Sequence, residues 1–254
     1  MRTRALMYHD VVAGEDWESS GFPGPWSQYY KFNEAEFDQH LRAISGAWRG
    51  AAPAGGEPRD GALQITFDDG GVGARPAAAA LEAMGWRGYF FITTGRIGTA
   101  GFLDAAGLRE LAAAGHCIGS HSVTHPTRMA TLSPAELREE WKRSTETLAG
   151  ILGQPAPVAS VPGGYYSTEV ARAAAEAGIR WLYNSEPVET VDEVDGCRIL
   201  GRYAIHRGHT AGDAAAYAAG QPWICWRTRF WWDSKKLIKR AGPFYMAIAR
   251  RLRQ

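Results

Sequence analysis

Short apolar runs alternate with helical segments along most of this chain, and few architectures accept that pattern. Ala5–Tyr8, Ala62–Phe67, Tyr89–Thr93, His116–Ser120, Val158–Val161 and Ile179–Tyr183 each read as a buried strand. Between them lie segments with helical spacing and helical punctuation. One opens at Asn33 or Glu34 and places Phe37, Leu41 and Ile44 on one face. The next, Pro76–Met84, is alanine-rich with proline in its first turn. Asp104 caps a helix ending at Gly115, and Ser133, followed by Pro134 and Glu136, caps a long one ending near Gly153. Thr168–Ala177 is closed by Gly178. Such alternation builds parallel sheet with right-handed crossovers. The strands number about seven, and GVGARP after Gly70 is not a dinucleotide-binding fingerprint. The expected fold is α/β: a distorted (β/α)7-8 barrel, closed or incomplete, rather than an open dinucleotide-binding sheet.

Composition narrows the function classes. An apolar fraction of 45% with 22% charged residues excludes a disordered chain. Lys+Arg is 28 against Asp+Glu 27, so no global basicity points to nucleic acid. No apolar run is long enough for a transmembrane helix. The opening MRTRALMYHDVV lacks an apolar core of signal-peptide length, so a cytoplasmic location is expected. Cys117, Cys197 and Cys225 lack CxxC spacing and read as reduced thiols. The charge is unevenly placed: Arg227–Gln254 carries nine Lys/Arg and one Asp, beside Trp223, Trp226, Trp231 and Trp232. The chain therefore divides into a barrel domain, 1–222, and a basic, Trp-rich segment, 223–254. That segment either packs on the barrel with a solvated basic face or meets an anionic membrane surface, a peripheral contact. Pro243 prevents it from being one long amphipathic helix.

Polar clusters follow three of the strands. In a parallel barrel those strand ends share one face, where active sites lie. The first is Asp68-Asp69-Gly70 after Leu63–Phe67; Gly70-Gly71 permits the turn that brings both carboxylates to one site. The second is His121 to Pro126, in which one helical turn would bring His121 and His125 together. The third is Ser160 to Tyr165. Two imidazoles with one carboxylate make a facial metal set with open positions for water and substrate. His9 ends the first strand and would face the same mouth. His116 reads as structural and His40 as a solvent-exposed helix residue.

TFDDG at Thr66–Gly70 together with GSHSVTHP at Gly119–Pro126 resembles the polysaccharide deacetylase family, carbohydrate esterase family four, the chitooligosaccharide deacetylase or NodB homology domain. TGRIG at Thr94–Gly98 and the PGG turn at Pro162–Gly164 fit the same pattern, and the resemblance spans roughly Ala5 to His209. It implies a partly open barrel and metal-dependent hydrolysis of an acetyl group from an N-acetylated sugar, a glycan or lipid-linked glycan intermediate, releasing acetate. By position Asp68 is the general base, and Asp69, His121 and His125 are ligands to one divalent ion, zinc first, with cobalt, nickel or iron as alternatives. Gly163 supplies the oxyanion-binding N–H, and His206 is the candidate general acid. Pro162, Gly164, Tyr165, His9 and Trp26 are candidate substrate contacts, Trp26 lying in the aromatic, Gly/Pro-rich loop Val12–Tyr30. The third motif departs from the family: Ser160 stands where an arginine normally orients the base. Arg75, Arg96 or Arg207 could replace it. Two other readings remain open, a hydrolase of a non-sugar amide or O-acetyl ester, and a catalytically silent sugar-binding protein.

Overall fold

In the computed structural model, which describes residues 1–234, the apolar runs form one curled sheet. β1 (Arg4–Tyr8), β2 (Val11–Val12), α1 (Pro25–Gln28), β3 (Phe32–Asn33) and α2 (Glu34–Ala47) come first. β4 (Leu63–Phe67), α3 (Ala74–Ala83), β5 (Tyr89–Ile92), α4 (Ala105–Ala113), β6 (Cys117–Ser120) and α5 (Pro134–Leu152) continue the alternation. Then follow β7 (Val158–Ser160), α6 (Thr168–Glu176), β8 (Trp181–Tyr183), β9 (Asp192–Val194), β10 (Cys197–Leu200), β11 (Tyr203–Ala204) and α7 (Ala211–Ala219). The nine-stranded sheet has the order β11-β1-β4-β5-β6-β7-β8-β10-β9. Its pairs are parallel except β9 with β10. This is the incomplete barrel form, curled with two edges. β9, β10 and β11 are not among the strands read from the sequence.

The strands are buried on both faces, as parallel sheets covered by helices must be; all five residues of β4 are buried. Inside the curl Ala5, Tyr89, Phe91, Val158, Trp181, Tyr183 and Leu200 form one cluster. Outside it the larger core joins the sheet to α2, α3, α4 and α7. Helix ends fall where side chains satisfy the free backbone donors. Asn33 with Glu36, Ser133 with Glu136 and Thr210 with Asp213 form capping boxes, and Asp104 accepts from Gly107 N–H. Each such cap contributes about 1 kcal/mol.

Two expectations are corrected. His40 is buried rather than exposed: its Nδ1 lies 3.2 Å from Tyr8 Oη and its ring 4.8 Å from that of Phe32. The segment Val12–Tyr30 is not a featureless loop, because it holds α1 and leads into β3, which pairs with β2. It is fastened by Lys31, whose ammonium donates to the carbonyls of Trp17, Ser20 and Phe22.

The chain stays helical over 222–234. Ile224 there is buried in the main core, and Thr228 Oγ1 lies 2.7 Å from Tyr217 Oη. The rest of the basic segment, including Pro243, lies outside the described residues. Among the described residues no helix is long and apolar enough to cross a membrane, and the three cysteines are free thiols.

Candidate active site and metal centre

β4 ends at Phe67, and its neighbour β1 holds the next residue in register: Asp68 N–H donates to Tyr8 O at 3.1 Å. Side chains on a strand alternate between faces, so consecutive carboxylates should diverge. Here Asp69 itself takes φ 76°, followed by Gly70 at 83°, and the reversal turns both carboxyls into the barrel mouth. The sequence assigned that turn to the glycines alone. A left-handed Asp is strained by on the order of 1–3 kcal/mol. Asp69 O is tied to Thr93 N–H at 3.2 Å, which holds the strained turn against β5.

The histidines meet differently from the expectation. No helical turn joins them; Ser122 (φ 63°) and His125 (φ 57°) fold the chain back instead, leaving the two rings 5.0 Å apart. Ser122 Oγ accepts from His125 N–H at 3.1 Å. From α5, the Glu140 carboxylate accepts from Val123 and Thr124 N–H at 2.8 and 2.9 Å. Glu140 thus organises the ligand loop from 16 residues away, a role the motif does not disclose.

Asp69 Oδ1 lies 3.3 Å from His125 Nε2 and 3.5 Å from His121 Nε2, and the three ligand atoms fall within 4.8 Å of one another. That oxygen is buried and makes no hydrogen bond. On the far side of its ring, His121 Nδ1 faces Ser160 O at 3.0 Å and Ser160 Oγ at 2.5 Å. A proton on Nδ1 is therefore committed there, and the Nε2 lone pair points at Asp69. Burial pushes the His121 pKa down to about 4, which keeps the ring neutral and able to ligate. A buried carboxylate oxygen without a partner, flanked by two imidazole nitrogens, is the donor set of a borderline divalent cation. The residues fit a metal ion.

Beside this set Asp68 is held by a residue the sequence did not single out. Arg202 is fully buried and bidentate: Nη1 to Asp68 Oδ1 at 2.7 Å and Nη2 to Oδ2 at 2.8 Å. Its remaining donors reach Thr66 Oγ1 and Asn184 O. Burial opposes ionisation of Asp68, but the guanidinium overrides it and holds the carboxyl well below the usual range. Arg202 lies in the two-residue step between β10, which pairs with β8, and β11, which pairs with β1. The chain there crosses the barrel's open seam. Gly201 makes the step possible, since a Cβ would strike Glu186 O and Val188. Ser160 complements the arginine, its hydroxyl donating to Asp68 Oδ1 at 3.1 Å. The three arginines considered as replacements stand elsewhere. Arg75 pairs with Glu110, Arg96 lies over Phe22, and Arg207 lies over Trp17.

Aromatic residues of the Val12–Tyr30 segment wall the mouth. Phe22 packs on His125, ring centroids 4.7 Å apart, so this segment reaches the candidate ligand set. Tyr30 lies 4.7 Å from His9. Tyr29 stacks on His206 at 4.4 Å, with its Oη 3.2 Å from Nε2. Trp26 stands 87% exposed on α1. After β7, Pro162–Gly164 form a single 3-10 turn in which Gly163 has φ 61°. Pro162 is buried, whereas Tyr165 is exposed beneath the Arg128 guanidinium. His116 is structural as expected: it accepts from Gly88 N–H and lies 3.1 Å from Glu82.

Comparison with known proteins shows the family and the fold. The family model described as polysaccharide deacetylase matches residues 55–182, half of the chain. The chain belongs to the polysaccharide deacetylase family, whose members deacetylate sugars. A relative assigned by name to the same class, YxkH of Bacillus subtilis (strain 168), is 24% identical over 225 residues, covering 85% of this chain and 74% of its own. Among solved structures, the Streptococcus pyogenes deacetylase PplD in complex with acetate aligns with TM-score 0.66 at 21% identity, over 83% of this chain and 95% of that one. BC0361, a polysaccharide deacetylase from Bacillus cereus, aligns with TM-score 0.70 at 18% identity, over 86% and 69%. At these identities the structural likeness establishes the fold, a distorted (β/α) barrel.

Proposed function

We propose that this protein is a metal-dependent deacetylase that removes the acetyl group from an N-acetylated sugar in a glycan or lipid-linked glycan intermediate. The observation that carries the reading is the partnerless, buried Asp69 Oδ1 facing two imidazole nitrogens, one residue from an Asp68 gripped by Arg202. Asp69, His121 and His125 would hold the ion. Two imidazoles and one carboxylate suit zinc, with cobalt, nickel or iron as substitutes. A divalent cation bound there supplies Lewis acidity, polarising the acetyl carbonyl and raising the acidity of the attacking water.

The remaining work falls to the chain's own groups. Asp68 Oδ1 accepts from both Arg202 and Ser160, while Oδ2 accepts from Arg202 alone. Oδ2 therefore keeps the freer lone pair for a proton from water. A carboxylate held this acidic is a weak base, so it suits water that is already acidified. The N–H of Gly163, on an exposed turn beside the ligand loop, is assigned to the developing oxyanion. His206 is assigned to protonate the departing amine, since an amine leaves poorly as its anion. His9, Trp26, Pro162, Gly164 and Tyr165 are assigned to the sugar.

The test is acetate release from chitooligosaccharides by metal-stripped protein reloaded with zinc, cobalt or nickel. O-acetylated sugars and simple acetamides run in parallel. Asp68→Asn should abolish turnover while leaving zinc bound. Release from the esters alone would transfer the activity to O-acetyl groups, and stoichiometric zinc without any release would make this a silent descendant. His206→Ala should lose turnover on the amide yet keep most of it on 4-nitrophenyl acetate, whose leaving group needs no proton. Equal losses on both would remove His206 from the acid role.

A further inference from the structure

The helix over 222–234 is two-sided in the reverse of the usual sense. Its inner side is tied down by Ile224, which is 6% exposed, and by Thr228 against Tyr217. Away from that side Trp223, Trp226 and Phe230 follow the spacing i, i+3, i+7 and are 67%, 57% and 56% exposed, and Trp231 at their flank is 60% exposed. Their rings stack along the helix, Trp223 on Trp226 at 5.4 Å and Trp226 on Phe230 at 5.5 Å. A water-facing stripe is normally polar, and a contiguous aromatic one marks an interaction surface.

The charge beside the stripe says what it meets. Arg227 sits among the aromatics and is exposed. The twenty residues that follow Ser234 contain seven Lys/Arg and no Asp or Glu. Tryptophans bordered by an unbalanced positive run suit the boundary of an anionic bilayer, where the rings sit at headgroup level and the cations meet phosphate. We propose that this helix face docks the protein on an anionic lipid surface. The helix runs back along α7 after Gly220, and Arg227 comes near enough to Asp213 and His209 to perturb both. His209 packs on His206 at the rim, ring centroids 3.9 Å apart. Docking would therefore hold the barrel mouth near the lipid. The docking itself stands on the surface alone and does not depend on the catalytic reading.

Flotation of the full chain with vesicles tests this without an activity measurement. Vesicles of phosphatidylcholine with phosphatidylglycerol should carry the protein upward and shift its tryptophan emission to the blue, and vesicles of phosphatidylcholine alone should not. Arg227→Glu should weaken partitioning about fivefold or more, and added salt should weaken it further. The combined Trp223→Ser, Trp226→Ser, Trp231→Ser variant should lose about tenfold or more, with its unfolding midpoint retained because the rings are exposed. Absence of flotation, or equal flotation on both compositions, overturns the proposal. So does a lipid-independent dimer that the triple variant abolishes, which would make a second copy the occupant.

Discussion

Replacing Arg202 by methionine probes the site at its most buried charge. The side chains of Arg202 and Asp68 are 0% and 4% exposed, and two hydrogen bonds of 2.7 and 2.8 Å join them. Two unit charges about 4 Å apart interact by about 4 kcal/mol at an effective dielectric near 20. Removing one partner leaves a buried carboxylate uncompensated, a loss of about 3–5 kcal/mol in similar cases. The same deletion frees burial to act on Asp68, whose pKa should climb. The sign follows from linkage. In the native protein the depressed Asp68 pKa contributes stability above the ordinary carboxylate range, lost as pH falls through it; in Arg202→Met that contribution disappears at neutral pH. Urea unfolding at pH 7 should show the stability loss. The acid limb of kcat/KM for acetate release should move to higher pH. Arg202→Lys should fall between, because a single ammonium cannot bind both oxygens. Asp68→Asn combined with Arg202→Met should recover about 1 kcal/mol or more relative to additivity. A loss under about 1 kcal/mol in Arg202→Met, with an unmoved acid limb, would mean the pair behaves as a surface contact and the reasoning is wrong.

Three further outcomes can be checked independently. Titration calorimetry with zinc should show Glu140→Ala weakening affinity about tenfold to a hundredfold, because the ligand loop loses its backbone acceptor, while the fold survives. His125→Ala should cost more than Glu140→Ala in the same measurement, and the opposite ranking would remove His125 from the ligand set. Burial lowers the His40 pKa to about 4, so the unfolded chain takes up a proton that the folded one refuses as pH falls below about 6.5. Stability should therefore drop by about 2–3 kcal/mol between pH 7 and pH 4, a slope that His40→Phe should reduce in urea titrations.

Some of this was legible because local rules suffice. Capping needs partners three residues apart, so Ser133 with Glu136 announced α5 correctly. Strand–helix alternation needs only neighbouring segments, and it carried the barrel class. Helical spacing put Phe37, Leu41 and Ile44 on the buried face of α2 correctly, but it misplaced His40 and the histidine pair. His40 lies on the buried face because α7 packs against α2, and the pair His121/His125 is joined by left-handed loop residues instead of a turn of helix.

The order of residues by itself determined six strands of the main sheet, most helix ends, and which strand ends carry carboxylate and imidazole. These follow from propensity and periodicity within a few residues of each position. Only the folded chain decided which arginine holds Asp68. Arg202 is 134 residues from Asp68, and the two meet because the chain crosses the open seam of the curl at that point. Long-range closure also placed Ser160 between Asp68 and His121, and laid Phe22 on His125. Such contacts depend on strand order and on the path across a gap, and neither leaves a period in the sequence.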